Sequence, residues 1–278
     1  MSVTVFALLL PLVAAQLEPS RTLDGSDDAS EKFQAHTKEV VASYELTAGA
    51  DKGRADKRRA DKRRLEPHEG PVLRWSNPVF GQSHGETFLW TDRGRPAALL
   101  SIYEFQSEKG ELIVHHEFSS LALDALTAEG PHRWSPPEAG VRLQPLPGAA
   151  PPDDSAARRL RQMRELATQF SAEKTTRGNE TRPLRLLPQP IYRYVSQQAE
   201  LTDGAAFAWV EATDPEILLL IEARATKDGP QWHFAAAPLT NVRVVLFHGG
   251  REVWQVETLP WNEVFQRPDK TYAIFRER

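Results

Sequence analysis

His115-His116-Glu117 is the densest group of potential ligands and proton carriers in the chain. Side chains alternate along a strand, so His115 and Glu117 share one face and His116 points to the other. Such a pair can move a proton or supply two ligands. A bound metal needs three or four, so the triplet alone predicts no metal site. His115 and Glu117 are the catalytic candidates.

Four further residues are candidates for binding. Glu222 and Arg224 share a strand face, where an ion pair, with each other or across the sheet, is the expected arrangement. Arg74 and Arg193 each sit beside an aromatic residue, in Pro71-Val-Leu-Arg-Trp75 and Pro190-Ile-Tyr-Arg-Tyr194. Stacking, or a buried carboxylate partner such as Asp92 or Glu211, is the expected role.

Other chemistries lack their signatures. The chain holds no Gly-x-Ser-x-Gly, no His-Glu-x-x-His, no phosphate loop and no dinucleotide glycine fingerprint. With Cys 0 there is no thiol nucleophile, disulfide or lipid-anchor cysteine. No cofactor is expected.

The elements that carry these residues are related to one another. Residues 65–118 laid without a gap on 184–237 match at turn glycines and prolines and at apolar strand positions. Gly85/Gly204, Phe88/Phe207, Trp90/Trp209, Pro96/Pro215, Leu99/Leu218 and Ile102/Ile221 are examples. One residue further along, Gly130/Gly250 and Trp134/Trp254 also match. This pattern predicts an internal duplication, with repeats at 65–134 and 184–254. Each repeat reads as an antiparallel meander. Ile217 to Ala225 is apolar on both faces and so reads as a central strand covered on both sides. Asp214-Pro215 is expected in a turn, and Gly249-Gly250 closes a hairpin that pairs Leu246 with Val253. Between the repeats, helical spacing runs from Ala156 to Glu173 after the capping signal Asp153-Asp154-Ser155. The expected fold is mainly β: two meanders in one sandwich or partly closed barrel, joined by this amphipathic helix, over 65–278.

The N-terminal segment concerns destination. Val3 to Ala15 is an apolar run with Val13 and Ala15 spaced as the small residues of a signal-peptidase site. Residues 1–15 are therefore expected to be a signal peptide and the mature protein to be periplasmic or extracellular. The run is too short to span a bilayer. Residues 16–64 read as a disordered charged arm that ends in the repeats ADKGR, ADKRR and ADKRR. A five-residue period makes no apolar stripe on a helix. The formal net charge of −4 favours neither nucleic acid nor a membrane surface as partner.

Arg185 to Tyr194 (RLLPQPIYRY) and Thr213 to Arg224 (TDPEILLLIEAR) resemble an uncharacterised family of exported proteins from planctomycete-type bacteria. That resemblance implies no activity. The expected function is a non-catalytic binding or interaction module of the cell envelope, with a protein or small ligand as partner. The alternative is an exported hydrolase or metal-dependent enzyme using His115 and Glu117.

Overall fold

The computed structural model describes residues 24–49, 62–78, 83–107, 109–196 and 200–277. The expected signal peptide and most of the pentad run lie outside them. The chain divides into two units at His36, and all four sheets lie in the second, Thr37–Arg278.

The first half contains α1 (Asp24–Ala42), β1 (Glu45–Ala48), β2 (Arg63–Arg64), β3 (Glu66–Pro67), β4 (Leu73–Asn77), β5 (Ser83–Asp92), β6 (Arg95–Gln106), β7 (Leu112–Ser120), β8 (Leu126–Glu129) and β9 (Gln144–Pro145). The second contains α2 (Ala156–Ala167), β10 (Phe170–Thr175), β11 (Thr181–Pro183), β12 (Arg185–Leu186), β13 (Tyr192–Tyr194), β14 (Leu201–Glu211), β15 (Asp214–Thr226), β16 (Gly229–Pro238), β17 (Arg243–His248), β18 (Arg251–Val256) and β19 (Tyr272–Arg276). Two large sheets have the orders β19-β7-β6-β5-β3, with β4 on β5, and β12-β14-β15-β16-β9, with β13 on β14. Two small ones have the orders β2-β1-β8 and β11-β10-β17-β18. Every pairing is antiparallel.

Burial explains why two layers are not enough. In β15, Ile217, Leu219, Ile221 and Ala223 face α2 and the β10–β17 sheet, packing on Met163, Phe170, Val244 and Leu246. Leu218 and Leu220, on the other face, meet Leu89 and Leu99 of the first large sheet. That sheet in turn buries Phe118 against Tyr44 and Trp134 beside the smallest sheet. Each large sheet is thus covered twice, as expected for Ile217 to Ala225. Four sheets are needed, and they are arranged like a four-bladed propeller rather than as a sandwich.

The extra layers come from segments read differently in the sequence. The helix ends at Ala167, not Glu173, because Phe170 and Ala172 alternate with exposed Ser171 and Glu173 in the two-residue period of β10. Within 16–64, residues 24–42 are helical, Glu45–Ala48 pairs with β8, and Ala48 pairs with Arg63. Buried Tyr44, Leu46 and Ala48 anchor this part, so the β-rich unit begins well before Leu65.

Several features recur at positions 119 apart. The strand orders β5-β6-β7 and β14-β15-β16 agree. Bulges follow Trp90 and Trp209, and the adjoining pairs are Thr91↔Pro96 and Val210↔Pro215. A bulge lets a strand accept the missing proline N–H. Pro215 is therefore inside β15, and the turn falls earlier, at Ala212-Thr213. Arg93 (φ 53°) and Ala212 (φ 54°) are both left-handed in these two hairpin loops. A Cβ on Gly85 or Gly204 would collide with the ring of Trp75 or Tyr194, which explains why glycine stands at both. In the last hairpin a bulge after Leu246 pairs it with Trp254, not Val253.

Candidate functional site

A cavity of about 270 Å³ lies where the first large sheet meets β10, β14 and β15. Aromatic walls come from Trp75, Tyr103 and Phe105 on β4 and β6, and from Trp261 in the loop after β18. Its floor is polar. Glu117 projects from β7, and Asp214 and Glu216 share one face at the start of β15. Lys174 reaches in from β10 to bind Glu216 and, at 2.9 Å, Glu211.

Electrostatics separates these carboxylates. Burial holds Glu117 well above the usual carboxylate range, against the hydrogen bond donated by the Tyr272 hydroxyl; neighbouring Asp214 and Glu216 push the same way. Burial and then Glu216 raise Asp214 well above its ordinary value, opposed by Asn77 Nδ2, which donates at 3.1 Å. Burial also raises Glu216, though Lys174 opposes it. Burial works against the Lys174 charge too, yet Glu216 and Glu211 outweigh it and raise its pKa. The cavity therefore holds two carboxyl groups, Glu117 and Asp214, pushed toward their protonated form beside a lysine held toward its charged one.

His115 and Glu117 share a face of β7 as expected, but only Glu117 lines the cavity. His115 is buried behind it among Phe105, Phe265 and Tyr103, with Nδ1 3.1 Å from the Tyr103 hydroxyl. Burial first, then Arg276 and His116, lower its pKa to about 4, so it is neutral at pH 7. His116, on the other face, has Nδ1 2.8 Å from the Tyr44 hydroxyl. Among the described residues no three His, Asp or Glu side chains gather to hold a metal ion.

Glu222 and Arg224 form the expected ion pair at 2.8 Å, but away from the cavity. Arg95 Nε donates to Glu222 Oε1 at 2.8 Å and the Tyr194 hydroxyl to the same oxygen at 2.9 Å. The side chains of Arg95 and Glu222 are 3% and 0% exposed. Polar side chains occupy this space in place of an aromatic-walled cavity. Its members match cavity residues 119 positions away: Tyr194 with Trp75, Glu222 with Tyr103, Arg224 with Phe105, and Arg95 with Asp214.

Arg74 and Arg193 have buried carboxylate partners, but not the expected ones. Arg74 Nε donates to Glu86 at 2.6 Å, and Glu86 also accepts from Thr37 of α1. Arg193 bonds Asp203 at 2.7 and 3.1 Å, and Asp203 also binds Arg159 of α2 at 2.9 Å. Each arginine ties a short strand and a helix to one carboxylate, which is an architectural task. Asp92 instead pairs with Arg63, and Glu211 with Lys174 and Arg182.

Lys174, Asp214, Glu216, Trp261 and Tyr272 were missed in the sequence. Asp214-x-Glu216 did carry a signal: two acids on one face at the start of an otherwise apolar strand. No protein family, curated protein or solved structure matches the chain.

Proposed function

We propose that this chain is an exported, non-catalytic module that binds a small organic molecule in the cavity around Glu117. The observation that carries the reading is the combination of aromatic walls with a buried polar floor, as small-molecule sites have. Its volume is just below the roughly 300–1,000 Å³ usual for such sites. Trp261, 66% exposed beside the cavity, supports the reading, since a large exposed ring is a common contact surface. The apolar run Val3 to Ala15 supports export, and no helix among the described residues is long and apolar enough to cross a membrane. The features recurring at 119 positions support two copies of one unit, one with an open cavity and one with that space filled by Arg95, Glu222 and Arg224.

A fragment screen by ligand-observed NMR tests the pocket. Hits should weaken at least tenfold in Trp261→Ala and in Glu117→Gln; an unchanged hit list in both variants would remove the pocket. A second reading, hydrolysis by general acid catalysis, is favoured by one observation. Burial pushes Glu117 toward its protonated form, while Lys174 draws Glu216 toward its charged one, the kind of division of roles that glycoside hydrolysis uses. Turnover of nitrophenyl glycosides that disappears in Glu117→Gln would establish it.

A further inference from the structure

We infer that the ligand of this cavity is a small organic cation: an ammonium or guanidinium group attached to a flat apolar body. The inference rests on the binding reading above and adds the chemistry of what binds.

Charge is the first argument. Two of the three cations that line the cavity are paired with carboxylates, and the third lies on an aromatic ring. Lys174 lies between Glu211 and Glu216, and Arg182 pairs with Glu180 and Glu211. Arg177 lies 3.7 Å over the Trp261 ring and donates to Asn241 at 2.8 Å. Glu117 and Asp214, in contrast, take part in no ion pair among the described residues; their partners are the neutral Tyr272 and Asn77. Burying a carboxylate without a cation is costly and pushes it toward its protonated form. A cationic group entering the cavity would supply the missing charge and release a proton.

The filled counterpart is the second argument, and it is independent of the first. There a buried carboxylate, Glu222, sits beside an aromatic ring and is answered by the guanidinium of Arg95. At the equivalent places the open cavity has Asp214 for Arg95 and Phe105 for Arg224. Two guanidinium groups and the carboxylate of Glu222 are thus absent from the open space, where Glu117 and Asp214 stand at the places held by Ala236 and Arg95 in the other copy. The arrangement of Arg177 on Trp261 shows that a ring of this wall already holds a cation face-on.

Isothermal titration of the full chain at pH 8 with benzylammonium, benzyl alcohol and glucose tests the proposal. Benzylammonium should bind at least tenfold more tightly than benzyl alcohol. The double variant Glu117→Gln, Asp214→Asn should abolish that preference, so that benzylammonium binds no more tightly than benzyl alcohol to the same variant, with an unchanged circular dichroism spectrum as the check on folding. Titration in two buffers of different ionisation enthalpy should reveal proton release. If benzyl alcohol or glucose binds as tightly as benzylammonium, the cation inference falls and the pocket stands. If no probe binds and Trp261→Ala alters nothing in the fragment screen, both fall.

Discussion

Replacing His115 by phenylalanine should flatten the acid limb of the stability curve. The imidazole is packed among Tyr103, Phe105 and Phe265, and its pKa drops from 6.5 to about 4. In the unfolded chain it titrates near its ordinary value, about 6.5. A depressed folded pKa means that the unfolded state binds the proton first. The stabilising contribution is thus present above about pH 6.5 and is lost as pH falls toward 4. Integrating between those two values gives a loss of about 2 kcal/mol by pH 5 and about 3 kcal/mol by pH 4. For a unit of this size that first step is roughly 4–8 °C in Tm. Phenylalanine suits the site, because the equivalent position on β16 is the buried Phe234. Losing the Tyr103 partner adds a cost, but one that does not vary with pH in this range. Calorimetric scans of both proteins at pH 7.5, 6, 5 and 4 make the comparison. The wild-type Tm should fall more steeply than that of the variant by the stated amount. Parallel curves would refute the reasoning, since they would mean that His115 can charge in place without unfolding.

Arg95→Met should be among the most destabilising single changes, because it leaves the fully buried Glu222 with one cation fewer. The expected loss is about 3–5 kcal/mol, read by chemical denaturation; a loss below about 1 kcal/mol would mean the network is dispensable. Replacing residues 50–61 by a short glycine-containing turn should leave Tm within about 2 °C, because Ala48 and Arg63 are cross-strand partners that a tight hairpin can join. Starting the chain at Leu65 instead removes β1 with buried Tyr44 and Leu46, and should lower Tm by more than about 5 °C.

Long apolar strands were legible because their burial is written in every residue. Ile217 to Ala225 has no polar positions except Glu222 and Arg224, and it is central in the structure. Short edge strands were not. β10 reads equally well as a helix end, since Phe170 satisfies either period, and only its pairing with β17 decides. β1 is four residues long and stands next to a charge run that dominates its surroundings in the sequence. The cavity was half legible. Glu117 stood out because the matching position carries alanine, whereas Lys174, Trp261 and Tyr272 converge from separate segments with no spacing to reveal them. His115 shares the strand face of Glu117 but does not line its cavity, because a shared face does not ensure a shared cavity.

The closing of the first large sheet by β19 bears on the order of folding. Glu117 receives its bond from Tyr272, 155 residues away, whereas β14, β15 and β16 pair with one another through short hairpins, as do β17 and β18. Closing the longer loop costs more chain entropy and is slower. The β14-β15-β16 meander can therefore form before the first large sheet is closed. The half with the cavity waits, its β7 edge unpaired, until the segment around 272–276 has emerged and docked. If the chain is exported as proposed, that delay would let it cross unfolded, and the cavity around Glu117 would be completed only afterwards.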